Sequence, residues 1–534
     1  MRCVEDPKRA MSGRRGASCR AAACAAVLLA VSGCTTVGPK FATPHTAVRD
    51  GWRTNGSSQL VSRAPADTRW WMQFDDRVLD RLVDLAYRQN LTLQVAGLRI
   101  VESRARLAFA TGLKWPQVQV AQGSVTGVGL SRNAANTSNL PGLDRHYVDY
   151  QVGFDAVWEL DFWGKYRRGV ESEAATLLAT VADYQSALVT LTAEVARTYV
   201  AIRTLEVLID EAQANVKVQE QGLLIAQSRF QNGATSELDV IQATTLLEST
   251  RATIPQLQGS LQQARNALST LLGQPTGTVE ELLEGRRSIP GPPAQVAVSV
   301  PAEMLRRRPD IRAAELAAAA QCARIGVAKA DLYPSFTLFG TLGFQASTAG
   351  GGNHRLLSGD NVFYNIGPRI SWPFFNYGRI ENSVRIEDAR FQQLLVGYRE
   401  AVLRAAQEVD DAIAGFLNAQ EAAAAQERSV VSARRAVELA FVQYREGATD
   451  FQRVLDAERS LLAQQNALTQ SSSSVTTNVI ALFKALGGGW EWAQGEPFLP
   501  AGTIDEMKAR TNWGDLLSQP ARSEAKESPQ PVKQ

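Results

Sequence analysis

Five cysteines and three histidines are the residues of this 534-residue chain best suited to nucleophilic or metal-ligating chemistry. Their spacing suits neither a catalytic constellation nor a metal site. His45, His146 and His354 lie far apart, and no HExxH, GxSxG, P-loop or CxxC motif is present. Four cysteines, Cys3, Cys19, Cys24 and Cys34, crowd the first 34 residues, while Cys322 stands alone. No enzymatic group, metal or organic cofactor is indicated, so the chain reads as a non-enzyme. Its net charge of +2 does not point to nucleic acid.

The chemistry that the spacing does support belongs to Cys34. Arg14, Arg15 and Arg20 form a positive start, followed by an apolar run from Ala21 to Val31. That run is too short for a bilayer span, which needs about 20 residues, but it suits a signal peptide. It ends in Val31-Ser32-Gly33-Cys34, which resembles the lipobox of bacterial lipoproteins. Small residues let a signal peptidase approach, and the thiol is the group that takes the lipid. Residues 1–33 are therefore expected to be a lipoprotein signal peptide, and Cys34 the lipidated first residue of the mature chain. The twin arginines are followed by Gly16-Ala17 rather than apolar residues, and read as simple charge. An exported chain left with one free thiol, Cys322, must be held together by packing or oligomerisation.

A second short pattern occurs twice. Phe230-Gln-Asn-Gly233-Ala234-Thr235 and Tyr444-Arg-Glu-Gly447-Ala448-Thr449 are 214 positions apart. The offset also pairs Trp158 with Trp372, Gly164 with Gly378, Tyr184 with Tyr398, Glu194 with Glu408, and Leu272-Gly273 with Leu486-Gly487. Upstream it becomes 218, pairing Trp115-Pro116 with Tyr333-Pro334. The chain is a tandem duplication.

Each repeat must position its turn at the end of something long. Val170, Ala174, Leu177, Val181, Tyr184, Leu188, Leu191 and Val195 follow steps of four and three, in a stretch from 170 to 221 without Gly or Pro. That is a heptad seam on a very long helix, expected from about Lys165 to Gln231. Small and apolar residues off the seam, such as Ala175, Leu178, Ala187 and Ala193, offer a second contact face. Gly233 stops the helix, and Thr235 or Ser236 is placed to cap the next one. The second repeat does the same from about Arg379 to Glu446 and from Phe451 to Leu486. Before each hairpin the period changes to two. Val148, Tyr150, Val152, Phe154, Ala156 and Trp158 alternate with mostly polar residues, and 362–372 shows the same alternation. Partner strands are expected at about 117–130 and 335–345. Strands that are apolar on one face and polar on the other suit an outer-membrane barrel, although alternation alone also suits a soluble sandwich. Four strands are too few to close one, because about eight is the minimum. Several copies must share one barrel.

The expected organisation is a signal peptide (1–33), a lipid-anchored extended segment (34–76), repeat 1 (77–273), a linker (274–307), repeat 2 (308–487), and a C-terminal segment ending in a polar, disordered tail (488–534). The fold class is mostly α with a small β part.

Together, CTTVGPKF, WWMQFDD, LRRRPDIRAAE, ADLYPSF, the two Gly-Ala-Thr turns and ALGGGW resemble the TolC-like outer-membrane efflux family, in its lipoprotein branch serving resistance-nodulation-division pumps. The resemblance runs from about Cys34 to Trp490. It implies a homotrimer with a shared twelve-stranded barrel in the outer membrane, continued by a helical tunnel through the periplasm. It implies a passive exit duct for drugs or other toxic small molecules, working with an inner-membrane pump and a periplasmic adaptor. It places adaptor docking at Gly233, Ala234, Thr235, Gly447, Ala448 and Thr449. It places a periplasmic gate at Asp456 and the position of Arg453, with Asp239 receiving Tyr444; Gln452, four residues before Asp456, shares its helix face and is expected to point to the axis with it. Arg453 stands where some members have an acidic residue, and Thr449 where the family has an arginine, so Arg453 is expected to serve in that arginine's place. A duct for metal ions or secreted protein is the alternative within this architecture. A structural coiled-coil lipoprotein without a pore is the alternative outside it.

Overall fold

In a computed structural model the described residues run from 36 to 518, except for 47–48, 50, 53–59, 63–67, 134, 136–141, 286, 294, 299–306 and 352–354. Cys34, the signal segment and the polar tail lie outside the described residues. The elements are β1 (Leu60–Ser62), α1 (Arg77–Gln89), α2 (Leu91–Gly112), β2 (Val118–Gly129), β3 (His146–Leu160), α3 (Lys165–Gln231), α4 (Glu237–Leu271), α5 (Val279–Leu282), β4 (Val296–Val298), α6 (Pro309–Ala330), β5 (Ser335–Ser347), β6 (Val362–Ser371), α7 (Arg379–Arg445), α8 (Phe451–Ala485) and α9 (Ala501–Arg510), with short 3-10 turns between some of them. The chain forms two compact units. One holds the described part of Met1–Thr43 with Ser103–Leu177 and Leu316–Leu395; the other holds the remainder. Neither unit is a single repeat, because each draws on both.

The first unit is built on an antiparallel sheet in the order β2-β3-β5-β6. Its register sorts the side chains by face, since successive residues of a strand point opposite ways. Asp155 lies across from Val120 and Thr341, Gln151 from Ser124 and Gln345, and Thr337 from Arg369. That face also carries Asp149 and Glu159. It is tied by Gln122 to Asp155 and by Gln345 to Asp149 at 3.1 and 3.2 Å. The other face carries Val152, Phe154, Leu342, Phe344, Ile366 and Ile370, and much of it is bare. Phe154 is 69% exposed and Ile366 73%. Among the described residues, the outer edges of β2 and β6 have no strand partner.

The sheet passes into α3 and α7 through Gly164 and Gly378, both at positive φ. Thr36 packs against Gly164, where a Cβ would come within 2.7 Å of its methyl group. The Val37 amide donates to Trp163 O at 3.0 Å, and Arg168 Nε to Val37 O at 3.2 Å. The N-terminal segment is thereby fastened beside the strand ends.

The second unit contains the helical hairpins from Leu178 and Val396 onward. Helices α3 and α7 each have 67 residues, so each is about 100 Å long at ~1.5 Å per residue. They are buried differently. In this unit α3 buries Tyr184, Leu188, Leu191 and Val195 of the seam, and also Ala182, Val189, Ala193 and Ala196 beside it. Helix α7 buries a narrower stripe, including Tyr398, Val402, Ala405, Val409, Ala412 and Phe416, while Leu403 and Val431 stay exposed.

The hairpin bases are held by aromatic and ionic packing. Trp70, nearly fully buried, stacks on Phe483 with ring centres 5.2 Å apart. Asp76 caps α1 by accepting from the Val78 and Leu79 amides, at 2.9 and 3.2 Å. It also accepts from Tyr199 Oη at 2.8 Å. Arg203 is buried, paired with Glu206 at 2.7 Å and donating to Leu283 O at 2.7 Å. The proline-rich stretch after α5 forms no long helix. It instead delivers β4 to a parallel pairing with β1, a contact between three-residue strands that the sequence does not announce.

Candidate functional site

The two Gly-Ala-Thr turns close the far ends of the hairpins in the second unit. Each is a Schellman closure. The Ala234 amide reaches back to Arg229 O at 2.8 Å and Gly233 to Phe230 O at 2.9 Å; Ala448 reaches Gln443 O at 2.8 Å and Gly447 Tyr444 O at 3.0 Å. Gly233 and Gly447 sit at φ +73 and +76, which L side chains adopt only with strain. Gly233, Ala234, Gly447 and Ala448 are exposed, and Thr235 and Thr449 are half-buried.

Beneath the turns lies a small core of Ala226, Ala243, Leu246, Ala440, Tyr444, Phe451, Val454 and Leu455. Tyr444 is 1% exposed and packs against Phe451 at 5.0 Å between ring centres. Its hydroxyl donates to Asp239 Oδ2 at 3.2 Å. Burial raises its pKa, helped by the nearby Asp239 charge, so the hydroxyl remains a donor at neutral pH.

The start of α4 departs from expectation. Ser236 occupies the cap position without a side-chain cap bond. The Thr235 hydroxyl instead donates to Asp239. One carboxylate oxygen therefore takes both Thr235 and Tyr444, and the threonine is not available as a cap.

Gln452, Arg453 and Asp456 are exposed on the first turns of α8, with Gln452 Nε2 donating to Asp456 Oδ1 at 3.0 Å. Arg453 makes no hydrogen bond or ion pair among the described residues of the chain, and so does not join Asp239 here. Arginine chemistry at the tip comes from elsewhere. Arg229, in the last turn of α3, lies over the Tyr444 ring at 4.8 Å and donates to Tyr444 O at 2.6 Å and Arg445 O at 3.0 Å. The sequence reading missed it. Its only sequence signal is a cation at a helix C-terminus beside the repeated turn.

Deeper between the helices, Glu458 is 6% exposed and its Oε1 has no hydrogen-bond partner among the described residues. A Cβ on Gly222 would lie 3.8 Å from that oxygen and 3.2 Å from the Phe441 ring. Burial alone pushes its pKa up to about 7. This residue too was absent from the sequence reading.

Among the described residues no three His, Cys, Asp or Glu side chains gather as metal ligands, and no helix is long and apolar enough to cross a membrane.

The paired hairpins and alternating strands correspond to a known family. Its model, described as outer membrane efflux protein, matches residues 82–274 and 300–488. The chain belongs to the outer membrane efflux protein family. It is an outer-membrane efflux duct of the TolC-like type. It is 31% identical over 468 residues to the pyoverdine export outer membrane protein OpmQ of Pseudomonas putida, covering 87% of this chain and 96% of that one. It is 30% identical over 467 residues to the cation efflux system protein CusC of Escherichia coli, covering 87% and 98%. Among solved structures, the outer-membrane channel OprN superposes with a TM-score of 0.78 at 33% identity, covering 85% of this chain and 99% of that one. The open state of the Neisseria gonorrhoeae MtrE outer membrane channel gives 0.73 at 28% identity, covering 85% and 98%.

Proposed function

We propose that this efflux protein works as a homotrimer, a passive exit duct whose three chains share one twelve-stranded barrel. The observation that carries this reading is the sheet. Its apolar face is bare, with Phe154 69% and Tyr364 72% exposed, and both its edges are open within the chain. Open edges in lipid leave backbone groups unpaired at a cost of several kcal/mol each, so the strands must be continued by other copies. Exposed Leu403 and Val431 on α7 support copies alongside the helices as well.

In this reading the duct performs no catalysis. An inner-membrane resistance-nodulation-division pump supplies the energy, and a periplasmic adaptor docks on Gly233–Thr235 and Gly447–Thr449. Cys34 carries a lipid, and Thr36, fastened beside the strand ends, would hold that anchor near the barrel. Asp239 and Tyr444 latch the hairpin tips at rest, with Gln452 and Asp456 facing the axis and Arg453 serving in place of the family's arginine. The cargo is a drug or other toxic small molecule. The names of OpmQ and CusC show that relatives serve pyoverdine export and cation efflux respectively.

Purified protein in a planar bilayer tests the duct. Discrete conductance steps are expected, and a protein that never conducts is a spacer instead. Deletion in a strain stripped of related ducts tests the cargo: sensitivity to unrelated amphiphilic drugs is expected, and sensitivity to metal salts alone would reassign it.

A further inference from the structure

We propose that Arg229 is the positioning residue that makes the two hairpin tips of one chain a single gating unit, an inference that rests on the Asp239–Tyr444 latch proposed above. The last carbonyls of a helix have no partner within it, and the helix end favours a cation. Arg229 serves both needs for α7 from a position 215 residues away. Its Nη1 donates to Tyr444 O at 2.6 Å and to Arg445 O at 3.0 Å, while Nη2 reaches Ala234 O in its own turn at 3.4 Å. The guanidinium carbon lies 4.8 Å from the centre of the Tyr444 ring. One side chain therefore joins the first turn, the end of α7 and the aromatic face of the latch tyrosine.

Tyr444 is held at two points. Asp239 accepts its hydroxyl at 3.2 Å, and Arg229 covers its ring. Both partners belong to the first hairpin and the tyrosine to the second. Arg229 thus acts through Tyr444, keeping the ring in the orientation from which the hydroxyl reaches Asp239. The repeat itself does not require this arrangement. The residue equivalent to Arg229 is Gln443, and the residue equivalent to Tyr444 is Phe230, which has no hydroxyl. The clamp runs from the first hairpin to the second only.

Lysine cannot reproduce it. An ammonium is a point donor without the planar fork that stacks on a ring while bonding carbonyls to the side. A Cβ at Gly447 would lie 3.7 Å from Arg229 Nη2, an ordinary contact, so this turn calls for glycine through its φ of +76 rather than through crowding by the clamp.

The test is single-channel conductance of the purified full-length protein in planar bilayers, with oligomer retention in detergent measured in parallel. Arg229→Ala and Arg229→Gln are expected to raise resting conductance severalfold, in the same sense as Asp239→Ala, with the oligomer retained. Arg229→Lys should fall between wild type and Arg229→Ala. Arg229→Ala combined with Tyr444→Phe should open the duct no further than the stronger single variant, because both act on one tyrosine; a purely structural loss would add. If Asp239→Ala conducts more and Arg229→Ala does not, the clamp is wrong and the latch stands. If neither variant conducts more, the latch fails and the clamp with it. Where Arg229→Ala loses its oligomer, Arg229→Lys decides: wild-type conductance from an intact Lys variant overturns the proposal.

Discussion

Replacing Glu458 by glutamine should stabilise the hairpin tips at alkaline pH and remove most of their pH dependence. Glu458 is 6% exposed, its Oε1 is unpartnered, and its pKa is pushed from 4.5 up to about 7 by burial alone. In the native hairpin the carboxyl therefore keeps its proton up to about pH 7, whereas the unfolded chain releases it near 4.5. Between those values the native state binds more protons than the unfolded state. Stability is thus fully present below the lower value and falls as pH rises through the higher one. At about 1.36 kcal/mol per pH unit, the shift corresponds to a loss of about 3 kcal/mol per chain across the window. Glutamine keeps the shape and has no charge to desolvate, so the loss should vanish. Its amide, like the protonated carboxyl it replaces, is a buried polar group without a partner, so at acid pH the variant should match wild type to within about 1–3 kcal/mol. The assay is hydrogen exchange of backbone amides around 440–458, read at about pH 5.5 and about pH 8.5 after correction for intrinsic rates. Wild type should lose protection at the higher pH and Glu458→Gln should not. An equal pH slope in both proteins would show that Glu458 is ionised and solvated, and the burial argument would be wrong.

Mass spectrometry of the mature N-terminus should find lipid on Cys34 and none after Cys34→Ala; an unmodified Cys34 in wild type refutes the anchor. Native mass spectrometry in detergent should give a trimer, and a stable monomer would defeat the shared barrel. Asp239→Ala should raise single-channel conductance severalfold, whereas Asp456→Ala should lower cation preference with a smaller effect on opening; wild-type behaviour from the first would leave closure to packing alone. Gly447→Trp forces a side chain into φ +76 beside Arg229, at a local cost of about 1–3 kcal/mol, and should abolish efflux while trimers persist. Normal efflux from that variant would count against docking at the second turn.

The amino-acid sequence by itself determined the features governed by local rules. Alternating side chains mark β3 and β6 because period two follows from strand geometry wherever two unlike surroundings meet a sheet. The absence of Gly and Pro between 170 and 221, with its three-four spacing, marks a helix too long for an ordinary domain. Gly233 and Gly447 are legible because a positive φ at a helix end suits glycine best. The duplication is legible because both copies need these same devices. What the sequence left open depends on pairings across distance. The resemblance points to Arg453 in place of the family's arginine, while within the chain the arginine that meets Tyr444 is Arg229, 215 residues away, because the hairpins pack α3 against the end of α7. Thr235 looks like a cap, yet its hydroxyl goes to Asp239, since that carboxylate is already fixed by Tyr444. Glu458 carries no signal in the sequence, because its burial beside Gly222 and Phe441 follows only from packing. The pairing of β1 with β4 has only three residues on each side to announce it. In each case the local chemistry allowed several partners, and packing chose among them.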